Sequence, residues 1–335
     1  MSDNLQPLAP EEGVERFLDH REMRRSQSTV YNDRTRLKHF LEWCREYGVD
    51  DLNDLTGRDL AAFVAWRRSD VKAITVQKQL GSIRQALRWW ADIEAVEEGL
   101  AEKVHAPEIP DGSEAKDVHL KAGRAQDILD TLNRHYYANE HHALLALLWR
   151  SGMRRSAAHS IDVGDLQPDD HAVELRHRPD EGTQLKNDED GERWVYLGPL
   201  WFQILDDHLD HPDRRDVTDD YGREPLFTTR YGRTSPGTLS DWVNRATHPC
   251  EYGPCPHDRD PDGCPARGKE AITSQCPSAR SPHAVRRGSI THHLNSKTPP
   301  PTVSERMDVS LEVLYKHYDA RNHREKMNVR KDQLP

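Results

Sequence analysis

His283 and Arg286 stand three residues apart in Ser281-Pro-His-Ala-Val-Arg-Arg-Gly288. On a helix that spacing sets both side chains on one face, about one turn apart. The imidazole can give or take a proton, while the guanidinium carries a permanent charge and a planar fork of donors. Two phenols follow some thirty residues on, Tyr315 and Tyr318 in Val313-Leu-Tyr-Lys-His-Tyr-Asp319. A tyrosine is a competent nucleophile once its proton can be removed. Roughly 130 residues before His283, Gly152-Met-Arg154 closes an apolar run. Phosphoryl chemistry needs fixed positive charge on the non-bridging oxygens, and arginine supplies it without proton bookkeeping. Singly, each feature reads as a helix-surface pair or as charge at a helix C-terminus. The spacing of all of them together carries the argument.

A second constellation precedes His283. Cys250, Cys255, Cys264 and Cys276 fall in a stretch rich in proline, glycine and aspartate, which is poor material for a hydrophobic core. Four thiolates there predict a tetrahedral structural zinc site, with His248 or His257 able to replace one cysteine. Its expected role is to brace the helix that begins at His283, with DNA contact second. The plainer alternative is four free thiols in a disordered insert. Cys44, alone in an apolar helical run, is expected to be a buried inert thiol.

These residues need elements to hold them. Val14, Phe17 and Leu18 form one stripe of a first helix opening at Pro10. Ser28-Thr29 is expected to cap a second, which carries Val30, Leu37, Phe40, Leu41 and Cys44 inward and ends near Gly48. A third follows Thr56-Gly57 around Leu60, Phe63, Val64 and Trp66, and a fourth opens at Thr75 with Val76, Leu80, Ile83, Leu87 and Trp90 buried. The result is a helical bundle over residues 10–103 behind a loose tail of residues 1–9. Arg34, Arg36, Lys38, Arg67, Arg68, Lys72, Lys78 and Arg84 are expected on its surface, to track phosphates or simply to be solvated. Residues 104–118, with Pro107, Pro110, Asp111, Gly112 and Ser113, read as a linker.

Residues 119–335 hold the chemistry, with a cysteine-rich insert at 248–277. Helical patterns run from Ala125 to Leu132 and through Ala143–Trp149. A strand signal at 172–176 and another at 194–197 flank a polar turn from Gly182 to Gly191. That makes a long hairpin with a flexible tip. Lys186 sits in the tip, the only lysine between Lys121 and Lys269. Ala320 to Lys331 reads as a basic C-terminal helix.

Composition constrains the partners. Net charge is -10, and only 12 of the 47 basic residues are lysine. A mean hydropathy of -0.91 with apolar residues in ordered clusters means folded domains with acidic surfaces. An acidic, lysine-poor, arginine-rich surface suits molar salt, so a halophilic source is expected. Under those conditions counterion release contributes little to DNA affinity, and the negative balance does not exclude DNA. No apolar run reaches the ~20 residues that span a bilayer, and no signal peptide opens the chain, so a cytoplasmic protein is expected.

The chain resembles the tyrosine recombinases, the phage-integrase and Xer-type family. The resemblance rests on Gly152-Met-Arg154, Lys186, His283-Ala-Val-Arg286 and the Leu314 to Asp319 segment. It implies a mainly α protein with a small β-sheet: an N-terminal SAM-like core-binding bundle that clamps DNA, and a C-terminal α+β catalytic domain. It implies Arg154 and Arg286 as the phosphate clamp, His283 assisting proton transfer, and Lys186 protonating the leaving 5′-hydroxyl. The tail pattern of a leucine, a basic residue and His-Tyr-Asp selects Tyr318 as nucleophile, with Tyr315 the alternative. The family often shows Gly-His about nine residues before the tyrosine. Arg306 stands nine before Tyr315 without either residue, and Arg306 or His317 is the candidate for the last catalytic position.

The activity implied is DNA strand cleavage and rejoining through a 3′-phosphotyrosine. It would be site-specific recombination by a tetramer on two double-stranded DNA segments, with no catalytic cofactor. Two alternatives stand beside it: a type IB topoisomerase-like enzyme, and a zinc-containing DNA-binding protein without catalysis.

Overall fold

Apolar residues three and four apart build the N-terminal helices, because that spacing puts them on one face. The computed structural model describes residues 5–108, 118–260, 262–268 and 271–331, with Ser28 described by its backbone alone. It divides into two units, Met1–Lys116 and Asp117–Pro335.

The first unit contains α1 (Pro10–Glu22), α2 (Gln27–Tyr47), α3 (Gly57–Asp70) and α4 (Ala73–Asp92). Their inner faces meet around Phe17, Leu37, Phe40, Trp43, Phe63, Ile83 and Trp90. Gly48 ends α2 in the left-handed conformation at φ 72°, and its N–H donates to the Cys44 carbonyl. Thr56 and Asp59 form a reciprocal capping box at the start of α3. Burial pushes the Cys44 thiol up to about 12.

Several local expectations are corrected. The N-cap of α2 is Ser26, not Ser28-Thr29, and the Ser26 hydroxyl pairs with the Thr29 hydroxyl at 3.0 Å. α4 opens at Ala73 instead of Thr75. Leu8 and Val104 belong to the core, so the bundle extends beyond residues 10–103 and the segment before Pro10 is tied down at Leu8. The Leu8 N–H donates to Asp51, and its carbonyl accepts from Leu52. Leu41, Val64 and Trp66 are only partly buried. Arg67 is buried and donates to Gln79 at 3.0 Å, which removes it from any phosphate-tracking surface. Arg84 turns inward to the Val104 carbonyl at 2.7 Å. Of the expected linker, Pro110, Asp111, Gly112 and Ser113 lie outside the described residues.

The second unit is organised on α6 (Glu140–Ser151), where every residue from His142 to Trp149 is buried. A helix apolar on all sides needs cover on all sides. Cover comes from α5 (Ala122–His135), α8 (Pro199–Leu209), α9 (Pro236–Ala246) and α10 (Pro282–Asn295). The short α7 (Arg155–Ser160) follows α6 directly. A three-stranded antiparallel sheet runs in the order β1 (Leu166–Gln167), β2 (Ala172–Leu175), β3 (Arg193–Tyr196). Its register pairs Val173 with Val195 and Leu175 with Arg193. β1 was not anticipated, being two residues long. β4 (Thr228–Thr229) and β5 (Gly232–Arg233) form a separate hairpin.

The β2–β3 connection is more than a flexible tip. Thr183 and Leu185 are buried within it, and Lys186 is left exposed between Leu185 and Asn187. Behind it lies a buried ionic network. Arg233 binds Asp162 and Asp219, and Arg178 reaches Asp165 at 2.5 Å and Asp162 at 3.2 Å. A smaller apolar cluster closes the unit: Ile290, Leu294, Val303, Met307, Val309, Leu314 and Tyr318. It joins α10 to α11 (Pro300–Met307), α12 (Leu311–Val313) and a π-helical turn at Leu314–Tyr318. α13 (His323–Lys331) follows with no buried residue. Mainly helical with a small sheet, the fold class agrees with expectation.

Candidate active site

The start of α10 positions two of the candidate side chains. Ser281 caps it by accepting from the Ala284 N–H at 3.4 Å, and Pro282 fills the first turn. Deeper in the helix, Gly288 lets α10 lie directly on the chain at Leu120. A Cβ there would meet the Leu120 carbonyl oxygen at 2.0 Å. The helix is thus seated by backbone contact, and its first turn has a fixed place.

Arg286 is 1% exposed. One of its terminal nitrogens donates to the carbonyls of Gly152 at 2.7 Å and Met307 at 2.6 Å; the other reaches the Asp308 carbonyl at 3.3 Å. Burial lowers its pKa to about 10, and the group remains a cation at neutral pH. Gly152 adopts φ 63° as the C-cap of α6, which aims its carbonyl at Arg286 and delivers Arg154 two residues later.

Tyr318 is 7% exposed. Its ring centroid lies 5.0 Å from the Arg286 guanidinium and 5.3 Å from the His283 ring. Thr291 ties down the tyrosine's carbonyl at 3.2 Å. His283 keeps an exposed edge. The protein packed around its ring, and then Arg286, Arg287, Arg154 and His317, hold its pKa below the ordinary histidine value. His283 is therefore neutral near pH 7 and free to accept a proton. Arg154, His283 and Arg286 line one cleft of about 390 Å³, together with Arg155, Ser281 and Pro282. The structure brings Arg154, His283, Arg286 and Tyr318 to one place.

The remaining candidates separate. Tyr315 is 51% exposed and lines a different cavity with Leu294, Pro299, Pro300 and Arg321. Arg306 turns to the C-terminal end of α6, donating to the Arg150 carbonyl at 3.1 Å. Lys186 makes no hydrogen bond or ion pair with the described residues. Its neighbour Asn187 donates to Asp308 at 2.6 Å, and Asp308 also forms an ion pair with Arg154. That chain of contacts links the Lys186 loop to the cleft. Asp308 and Asn187 escaped the sequence reading. One signal was available for Asp308: counted back from Tyr318, the family's Gly-His pair falls on Asp308-Val309, and Asp308 adopts a glycine-like φ of 52°.

The four-thiolate zinc site is corrected. Cys250 and Cys255 share a side-chain hydrogen bond, and Cys276 is near enough to act on Cys250 electrostatically. Among the described residues no three His, Cys, Asp or Glu side chains converge for a metal ion. His248 and His257 do not complete one either. The insert is instead closed at its ends by hydrogen bonds. Arg280 N–H donates to the Thr247 hydroxyl at 2.8 Å, and Arg124 reaches the Ser278 carbonyl at 2.7 Å. Hydrogen bonds tie the two ends of the insert together just before α10.

Known proteins bear on this geometry. Residues 14–92 match the family model described as phage integrase, N-terminal SAM-like domain. A tyrosine recombinase XerC of Chlamydia trachomatis serovar L2 is 27% identical over 161 residues, covering 48% of this chain and 46% of that protein. The chain thus spans about half the length of the curated relatives it matches. A Tn1549 transposon integrase in complex with a circular intermediate DNA aligns over 98% of this chain and 100% of its own, with a TM-score of 0.68 and 14% identity. A lambda integrase dimer bound to a COC′ core site aligns over 95% and 97%, with a TM-score of 0.63 and 14% identity. At such identity the two structures share the fold with this chain. No helix among the described residues is long and apolar enough to cross a membrane.

Proposed function

We propose that this chain is a member of the tyrosine recombinase and integrase family, a DNA strand transferase that cuts and rejoins DNA at specific sites. The observation that carries the reading is the meeting of Tyr318, His283 and Arg286 beside the cleft that Arg154 lines. In this mechanism Arg154 and Arg286 hold the two non-bridging oxygens of a phosphodiester and neutralise the charge that builds in the transition state. The Tyr318 oxygen attacks phosphorus in line as neutral His283 takes the phenolic proton. The bond from phosphorus to the 5′-oxygen breaks, and Lys186 gives that oxygen a proton. The products are a 3′-phosphotyrosine and a free 5′-hydroxyl, and reversal with a second strand's 5′-hydroxyl rejoins DNA.

No nucleotide is consumed, since the phosphotyrosine conserves the phosphodiester. The similar Tn1549 and lambda integrases are DNA complexes, the latter a dimer on a core site. We extend this to double-stranded DNA as substrate and to an oligomer, a tetramer on two duplexes, as the working assembly. Covalent trapping on nicked suicide substrates carrying candidate sites, at high salt, tests the reading. A protein–DNA adduct lost in Tyr318→Phe and retained in Tyr315→Phe is expected. Loss only in Tyr315→Phe overturns the nucleophile; tight binding to a verified site without adduct overturns the enzyme.

A further inference from the structure

Asp308 sits among arginines. Its carboxylate pairs with Arg154 through one oxygen and accepts from Asn187 at 2.6 Å through the other. Its backbone carbonyl accepts from Arg286 at 3.3 Å. Arg193, whose pKa burial lowers to about 10, feels Asp308 as its stabilising opposite charge. Arg154 and Arg286 of this group also line the cleft, and of the two it is Arg154 that pairs with the Asp308 carboxylate.

A carboxylate and a phosphodiester are similar to a guanidinium. Each presents two oxygens sharing one negative charge, and the arginine fork fits either. Cationic groups in a desolvated cleft are costly without an anion. Asp308 supplies that anion from within the chain, and through Asn187 it also holds the loop carrying Lys186. We infer that Asp308 is the resting anion of the cleft, pairing Arg154 until an incoming phosphate group displaces it. The inference rests on the strand-transfer reading for the identity of that phosphate. Exchange of one monoanion for another keeps Arg154 paired throughout. It also releases Asn187, and with it the Lys186 loop, at the moment a phosphate arrives.

The backbone at Asp308 makes the test clean. At φ 52° and ψ 65° it lies in the left-handed region, which glycine and asparagine tolerate best. Asp308→Gly deletes the carboxylate without backbone strain, and Asp308→Asn keeps its shape without its charge. The probe is inorganic phosphate, titrated into the full-length protein at constant ionic strength and read by calorimetry. Both variants are expected to bind phosphate at least about tenfold tighter than wild type, since a like charge is removed from the site. Adding Arg154→Ala to Asp308→Gly is expected to abolish the gain.

Equal phosphate affinity in wild type and both variants overturns the inference. So does a gain that survives Arg154→Ala, because the anion is then bound elsewhere. Suicide-substrate trapping of the same wild-type preparation separates this from the function. Adduct formation with no gain in phosphate affinity sinks the resting anion alone. A gain without any adduct leaves the anion exchange in force and sinks the recombinase.

Discussion

The guanidinium of Arg286 lies 5.0 Å from the centre of the Tyr318 ring while its donors are held by the carbonyls of Gly152, Met307 and Asp308. One side chain thus joins three segments of the second unit and faces the candidate nucleophile. Lysine keeps the charge but has no planar fork. Arg286→Lys is expected to slow adduct formation about 10²- to 10³-fold, the scale of losing one charge-stabilising donor. It should also cost about 1–3 kcal/mol of stability through the carbonyls left without a partner. Single-turnover trapping and urea unfolding read the two effects, and an unchanged cleavage rate refutes the clamp.

Gly288 offers a test of how α10 is seated. A Cβ would stand 2.0 Å from the Leu120 carbonyl oxygen and 3.0 Å from a Trp149 ring carbon. Backbone cannot swing aside as a side chain can. Gly288→Ala is therefore expected to destabilise the second unit by about 1–3 kcal/mol or more. A urea midpoint equal to wild type would show that α10 sits elsewhere.

Protons should destabilise this unit well above the carboxylate range. Burial holds His142, His159, His208 and His293 at about 4. In the unfolded chain they titrate near 6.5. Between those values the unfolded state binds more protons, so stability is complete above about pH 6.5 and falls as pH drops. Each histidine contributes a slope of up to about 1.4 kcal/mol per pH unit inside that window. Urea midpoints at pH 7.5, 6.5 and 5.5 in constant salt should fall in order, and His142→Gln should flatten the decline. A midpoint independent of pH rejects the account.

Arg233 anchors the ionic network behind the hairpin. It donates to Asp162, to Asp219 at 2.8 Å and to the His159 carbonyl at 2.9 Å. Removing it leaves buried carboxylates with fewer cations, so Arg233→Ala is expected to cost about 3–5 kcal/mol. Arg230→Ala, on the exposed turn between β4 and β5, should stay within about 0.5 kcal/mol. Comparable losses in the two variants, measured by thermal or urea unfolding, would contradict the network's role.

The sequence alone determined the four helices of the first unit and α5, α6, α10 and α13 of the second, but not α7, α8, α9, α11 or α12. Val14, Phe17 and Leu18 in α1, like Val76, Leu80, Ile83 and Leu87 in α4, recur at helical spacing, and burying them is what drives packing. It also determined the types of the candidate groups, because His283 and Arg286 share a helix and their spacing is local. Boundaries were less legible: the sequence pointed to Ser28-Thr29 as the cap, and α2 opens after Ser26.

The tail pattern favours Tyr318, and the tertiary structure decided how the two tyrosines point, with Tyr318 against Arg286. Tyr315 and Tyr318 are three residues apart in the same segment, and the π-helical turn with the Val303–Met307–Leu314 cluster sends one inward and the other to solvent. Arg67 looks like a surface charge in the sequence and Arg306 like a catalytic candidate, yet each finds an internal acceptor. Four cysteines in a row of turns looked like a metal site, but spacing along a chain does not fix convergence in space. The pairing of Arg154 with Asp308 joins residues 154 positions apart, and a contact of that range is set by the packing of α6, α10 and α11 together.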